Sequence, residues 1–452
     1  MMTIKRVAEL LGFTKAWCLF GLIFVSQSLW AAIPVQNWRL ANGAEVFLAE
    51  SPGIPMVDVQ IDFDAGSRRD PVGQAGLASA TASLSAKGVR ASGNLPALDE
   101  NALSEAWADL GASFGASASG DRMGFALRSL SYPDLLARAA ALAARQLAEP
   151  ALPDAVWQRE RATRTASIRE ANTRPGTLAA RTFNNAVYGS HPYGAETTAE
   201  TLARITVADM AAFHARHVVA CRARVSLVGA LNRQQAETLV TALLSRLPTT
   251  ACEPLPAVAE VVPLTAPVDQ RLPFDSAQAH VTIGQPGYKR DDPDNFPLFV
   301  GNYILGGGGF VSRLTQEVRE KRGLTYGVSS YFSPGLHAGA FAIGLQTRPD
   351  QATQAVQVAR EVLARFVADG PTEAELQAAK DNLVGGFALR IDSNKKLLDN
   401  LANIAQYRLP LDYLDTWTEQ VARVTVADIR AAFARKLQPG KMVTVVVGGA
   451  NP

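Results

Sequence analysis

Few residues in this chain have the types and spacing to do chemistry unaided. Four consecutive glycines, Gly306 to Gly309, lie in NYILGGGGFVSRLTQEVREKRGLTYGVSS (Asn302 to Ser330). Four glycines are costly to order, so such a tract serves flexibility or close backbone approach. It is not a phosphate loop, because no Gly-Lys-Ser/Thr follows and Arg313 stands without a magnesium-binding hydroxyl at the required place. Gly111 to Gly115 (GASFG) matches G-x-S-x-G. A nucleophile elbow needs strand, sharp turn and helix, whereas the following ASASGDRMGFAL alternates like a strand and turns at Gly120-Asp121. His214 and His217 form H-x-x-H at a helix end without a nearby acid and read as surface residues, and His191 in SHPYG reads as a turn. Five histidines and three cysteines exclude a histidine-rich metal site, a zinc ribbon and a disulfide scaffold. Cys221 and Cys252 can pair in an oxidising compartment or remain two buried thiols, and the sequence leaves both readings open.

The chain around these residues is large enough to hold them. With 452 residues, 48% hydrophobic and 19% charged, it has material for two large cores and is not disordered. A net charge of +2 without Lys/Arg runs excludes a nucleic-acid partner. Lys5, Arg6 and Lys15 precede the apolar run Ala16 to Val25, then Ser26-Gln27-Ser28 and Leu29-Trp30-Ala31-Ala32. That is the order of a secretory signal peptide over 1–32, too short and interrupted for the roughly 20 residues of a membrane span. Lys15-Ala16-Trp17 before Cys18 is not a lipobox. The reading is an exported, periplasmic protein with no membrane contact after cleavage.

The remainder is written twice. ARITVADMAAFHAR (from Ala203) and ARVTVADIRAAFAR (from Ala422) share nine of fourteen residues at an offset of 219. At that offset Val228-Gly229 matches Val447-Gly448, and Pro153 and Pro371 both open long helices. A stretch with Pro248, Pro254, Pro256, Pro263 and Pro267 separates the copies. The expected organisation is a first half over 33–250, a linker over 251–266 and a second half over 267–452. Helices and strands fall in runs, which favours α+β over a doubly wound sheet.

LTQEVREKRGLTYGVSS resembles the C-terminal signature of the pitrilysin-type (M16) zinc peptidases, which include mitochondrial processing peptidase and bacterial two-subunit relatives. DFDAGSRRDPVGQAGLA, YGSHPYG and VVVGGA extend the resemblance over nearly all of the chain after residue 32. It implies two homologous halves, each a mainly antiparallel sheet covered by helices, forming a clamshell of the LuxS/MPP-like metallohydrolase type. It also implies that an Arg and a Tyr seven residues apart bind substrate backbone and polarise the scissile carbonyl; Arg319 and Tyr326 match. The spacing suits that role if a helix runs from about Val311 to Arg322, Gly323 reverses the chain and Tyr326 starts the next strand.

Active members carry H-x-x-E-H, two zinc ligands and a general base on one helix. Here the tract reads Gly76-Leu77-Ala78-Ser79-Ala80-Thr81-Ala82-Ser83, so Ser79 and Ser83 stand at the ligand positions and Ala82 at the base. The third ligand position falls on Ser167, with Glu160 and Glu170 as alternatives. Such a set cannot hold zinc. The resemblance therefore implies no metal in this chain, and a non-catalytic subunit of a periplasmic heteromeric M16 zinc endopeptidase. Its partner would be an H-x-x-E-H homologue carrying the zinc, and its substrate an extended peptide. That peptide would add along Ala112 to Ser119, touching Ala112, Ser113, Ala116 and Ser117, with Gly306, Gly307, Gly308 and Gly309 at the mouth. The alternative is a peptide-binding or scaffold protein without any peptidase role.

Overall fold

The computed structural model describes residues 34–249 and 252–449. The expected signal peptide over 1–32 lies outside the described residues. The first half contributes β1 (Val35–Arg39), β2 (Glu45–Glu50), β3 (Met56–Phe63), α1 (Leu77–Leu84) and α2 (Glu100–Asp109). It continues through β4 (Ser113–Ala118), β5 (Met123–Leu130), α3 (Pro133–Ala148), α4 (Asp154–Ala171) and α5 (Pro175–Tyr188). It ends with α6 (Ala199–Ala203), α7 (Val207–His217), β6 (Arg224–Gly229) and α8 (Arg233–Leu244). The second half contributes β7 (Val268–Leu272), β8 (Ala279–Pro286), α9 (Asn295–Asn302), β9 (Val328–Phe332) and β10 (Ala340–Thr347). After these come α10 (Ala352–Asp369), α11 (Glu373–Gly385), α12 (Asn394–Tyr407), α13 (Tyr413–Arg423), α14 (Val426–Lys436) and β11 (Val443–Val447).

The repeat is visible in local physics. The Thr206 hydroxyl accepts from the Asp209 N–H, while the Asp209 carboxylate accepts from the Thr206 N–H, closing a capping box at the start of α7. Thr425 and Asp428 close the same box at α14, 219 residues later. The first sheet has the order β1-β2-β6-β3-β5-β4 and the second β7-β11-β8-β10-β9. With β1 set aside, the two orders correspond strand for strand. Each sheet is antiparallel except for one parallel pair, β2 with β6 and β7 with β11. All five residues of β11 and five of the six in β6 are buried, as expected of central strands covered on both faces.

Each half lends a helix to the other. Ala179, Phe183 and Val187 of α5 pack on Ala340, Ala342, Val443, Val445 and Val447 of the second sheet. Reciprocally, α12 lies on β2, β3 and β6 of the first sheet, burying Leu397, Leu398 and Leu401. These helices begin at Pro175 and Asn394, again 219 residues apart. Gly284 makes the first contact possible, because a Cβ there would lie 2.9 Å from Cζ of Phe183 and 1.9 Å from the Phe341 carbonyl oxygen.

Polar contacts, buried at Asp121, Arg68 and His337, also tie the halves together. Asp121, on the turn between β4 and β5, accepts from the Tyr193 hydroxyl at 2.6 Å and the Leu336 N–H at 3.0 Å, and pairs with Arg68. His337 meets Glu260 at 3.1 Å, and Glu260 pairs with Lys289. Burial, reinforced by the Asp121 carboxylate, holds the Tyr193 phenol above its ordinary range. Residues 252–267 form neither helix nor strand. The start of this stretch is pinned by a Cys221–Cys252 disulfide, with Cα atoms 6.0 Å apart, and by the Arg222 guanidinium donating to the Glu253 carbonyl.

Phe183→Ala removes the largest side chain of the α5 contact and is expected to cost about 3–5 kcal/mol. Urea unfolding read by hydrogen exchange should show β6 and β11 losing protection together. Loss confined to β11 would mean that the halves unfold independently.

Candidate functional site

α1 starts where the Asp70 carboxylate accepts from the N–H groups of Gly76 and Ala78, both at 2.8 Å. Burial pushes this carboxyl up to about 6 against those hydrogen bonds. Gly76 has φ +103° and lets the chain turn into the helix. On α1, Ser79 is exposed, Ser83 half-buried and Ala82 buried. The Ser83 hydroxyl donates to Glu160 Oε2 at 3.3 Å. The Ser79 hydroxyl accepts from Arg164 Nη1 at 3.2 Å. Arg164 Nε and Lys87 Nζ each stand 3.7 Å from Glu160.

Glu160, and not Ser167, is therefore brought to α1, bonded directly to Ser83 and linked to Ser79 through Arg164. Ser167 lies exposed about two turns further along α4, and Glu170 pairs with Arg174. Two hydroxyls and one carboxylate do not fit zinc, which takes imidazole, thiolate and carboxylate donors. A guanidinium and an ammonium supply the positive charge that Glu160 requires. Among the described residues, no group of three or more His, Cys, Asp or Glu is placed to hold a metal.

The tract in the second half is less regular than its sequence suggests. The expected helix from Val311 to Arg322 is shorter and wider, covering 313–320. Gly309–Val311 makes one 3-10 turn, Ser312 is extended, and the helix then starts in α geometry at Arg313 and Leu314 and widens into a π-helix over Thr315–Glu320. Ser312 explains the break: its hydroxyl accepts from the Thr315 N–H at 3.4 Å, so it caps the start of the next turn. Gly306 is buried, and a Cβ there would come within 2.4–2.5 Å of Ser330 on β9, while Gly309 has φ +63°. Gly307 and Gly309 are exposed, and Gly308 is half-buried.

Arg319 lies on the π turn. Its guanidinium stands 4.7 Å from the Phe310 ring centroid, and Nε pairs with Glu320 at 3.3 Å. Gly323, φ +61°, then reverses the chain as expected, its N–H donating to the Arg319 carbonyl. Tyr326 precedes β9 in a loop rather than starting the strand, which begins at Val328. It is 88% exposed and lines a groove of about 480 Å³ with His280 and Gly176, the latter at the start of α5. Arg319 and Tyr326 thus occupy one segment, with no hydrogen bond between their side chains.

β4 is the outer strand of the first sheet, pairing with β5 alone. Ser113 and Ser117 face outward, and Ala112 and Ala116 pack partly on the core. Ser113 of the G-x-S-x-G match sits on this strand and not on an elbow.

The histidines of H-x-x-H are buried, not at the surface. His214 Nε2 meets the Leu147 carbonyl at 2.9 Å and His217 Nδ1 the Asp64 carbonyl at 3.1 Å. Burial lowers both to about 4. They are core residues that each hydrogen-bond a backbone carbonyl. His191 caps a 3-10 turn by accepting from the Tyr193 N–H.

The sequence reading missed Arg164, Lys87 and Phe310. Arg164 stands one helical turn after Glu160, a spacing that pairs opposite charges, and Phe310 directly follows the glycine tract.

Two family models match, described as "Insulinase (Peptidase family M16)" over residues 45–201 and "Peptidase M16 inactive domain" over 204–383. A peptidase M16 inactive domain from Pseudomonas fluorescens superposes with a TM-score of 0.86 at 35% identity, covering 92% of this chain and 99% of that one. An uncharacterized zinc protease of Streptomyces coelicolor is 28% identical over 263 residues, 57% of each chain. A non-peptidase homolog of Helicobacter pylori is 32% identical over 158 residues, 34% of this chain and 36% of its own. The match thus spans little more than half the length of the Streptomyces relative.

Ser79→His, Ala82→Glu and Ser83→His would rebuild H-x-x-E-H above Glu160. Cobalt(II) absorption should show weak uptake by this triple variant, and affinity at least about tenfold higher once Arg164→Ser is added. Tight binding by the triple variant alone would show that the guanidinium does not hold the metal's place.

Proposed function

The chain belongs to the M16 peptidase family as an inactive-type member, and on that premise we propose that it is the non-catalytic subunit of a periplasmic heteromeric M16 zinc endopeptidase. The observation that carries this reading is an asymmetry between the halves. The metal face of α1 holds serines and a guanidinium, while the segment with Arg319 and Tyr326 keeps the family's spacing and an exposed phenol. A chain with no substrate chemistry to support has no need of that segment.

In this role the partner, an H-x-x-E-H homologue, holds zinc, the two histidines and the general base. This chain contributes Arg319 and Tyr326 across the interface. Tyr326 donates its O–H to the oxyanion that develops on the scissile carbonyl, and Arg319 adds a fixed positive charge and binds substrate backbone. Arg319 must leave its stack on Phe310 or turn within it to reach a substrate. The glycines before Phe310 give that loop the freedom to follow. An extended peptide adds along the outer edge of β4, where Ala112, Ser113, Ala116 and Ser117 are small enough to admit another backbone. The order of charged, apolar and small residues over 1–32 supports export.

A second reading, a peptide-binding protein without a peptidase role, draws on the absence of any hydrogen bond between Arg319 and Tyr326. The two readings separate on kinetics. Tyr326→Phe in the reconstituted pair should lower kcat on an unstructured peptide about 10²–10³-fold, leaving assembly and the partner's zinc unchanged. Full activity of this variant would remove Tyr326 from the reaction and favour the second reading.

A further inference from the structure

A cavity in the second half takes no part in the segment just described. It encloses about 400 Å³ where α9, α12, α13 and the end of β9 meet. Cavities of this size hold small ligands or single side chains. Its walls are largely aromatic, with Phe296, Phe299, Tyr331 and Trp417 among them. The rings are fixed by one another: Phe299 meets Trp417 edge-on at 5.8 Å between centroids, and Phe387 stacks on Trp417 at 4.9 Å.

Two guanidiniums share these walls. Arg390 stands 5.3 Å from the Trp417 centroid and 5.7 Å from that of Phe299. Arg290 stands 5.2 Å from the Tyr413 centroid and donates from Nη2 to its hydroxyl at 2.7 Å. No Asp or Glu lines the cavity, and among the described residues neither guanidinium pairs with a carboxylate. A guanidinium held against a ring keeps in-plane N–H donors for an anion. Arg290 spends one on Tyr413, and the Arg390 side chain has no hydrogen-bond partner among the described residues.

A site with aromatic walls and two cations lacking acidic partners suits a ring that carries negative charge. We propose that this cavity binds an aromatic carboxylate, the ring entering among Phe296, Phe299 and Trp417 and the carboxylate meeting Arg390 and Arg290. The C-terminal Phe, Tyr or Trp of a peptide has that chemistry, as does a free aromatic acid. Placement favours the peptide. β9 is the outer strand of its sheet, so a peptide backbone can lie along it and deliver its last side chain past Tyr331.

Isothermal titration of the whole chain, without any partner, provides the test, independent of the Arg319 and Tyr326 reading. The probes are N-acetylphenylalanine, its amide, and a tetrapeptide ending in Phe as acid and as amide. Both acids should bind saturably, one per chain, and both amides about tenfold or more weaker. Arg390→Gln should weaken the acids by a similar factor with an unchanged circular dichroism spectrum and Tm. Tighter binding of the tetrapeptide acid than of N-acetylphenylalanine assigns the ligand to a peptide end; the reverse order assigns it to a free acid. Equal affinity of acid and amide, indifference to Arg390→Gln, or no saturable binding would overturn the proposal.

Discussion

The structure depends on a reciprocal exchange of helices. Neither sheet covers its inner face with its own half alone: α5 crosses to the second sheet and α12 to the first. Burying a side chain such as Phe183 or Leu401 contributes about 1.5–3 kcal/mol, and each helix brings several. The exchange also brings residues distant in sequence together. Gly176, at the start of α5, forms a wall of the groove holding Tyr326, although Tyr326 belongs to the other half. Asn403 of α12 accepts from Arg122 of the first half while lining the aromatic cavity.

The same duplication that sets the fold lets the halves diverge at one place each. In the first half Ser79 and Ser83 stand on α1 opposite a half-buried carboxylate, Glu160. A carboxylate left there without a counter-charge costs free energy. Arg164 and Lys87 supply that charge, and the resulting ion cluster joins α1 to α4 through the Ser83–Glu160 and Ser79–Arg164 hydrogen bonds. In the second half α9 stands in the place of α1, and the chain after it is a glycine tract, a 3-10 turn and a π-helix. Wide turns of this kind are frequent at functional sites, and this one carries Arg319.

Periodic features were legible in the sequence. The 219-residue offset marked the helices that became α7 and α14 and both central strands, but not the exchange of α5 and α12. The serines at 79 and 83 were visible because a helical ligand motif has fixed spacing. Features set by tertiary packing were not legible. Ser167 and Glu160 lie on the same helix, and which one faces α1 is decided by how α4 packs. The sequence of H-x-x-H does not show that His214 and His217 point inward to backbone carbonyls. Val311 to Arg322 reads as a regular helix by composition, yet the Ser312 cap starts it at residue 313 and it widens to a π-helix over Thr315–Glu320. Cys221 and Cys252 left a disulfide and two free thiols equally open, and the return of the chain to Cys221 after α8 decides for the disulfide. The aromatic cavity draws on separated segments from Tyr288 to Trp417, so no local pattern announces it.

The central claim is that this chain completes a zinc site it does not contain. The most direct measurement is the initial rate of cleavage of one unstructured peptide by three samples: this chain, a purified H-x-x-E-H partner, and their equimolar mixture. The account predicts cleavage by the mixture alone, with zinc bound stoichiometrically and only by the partner. Cleavage by this chain alone, or a partner as fast without it as with it, would contradict the account.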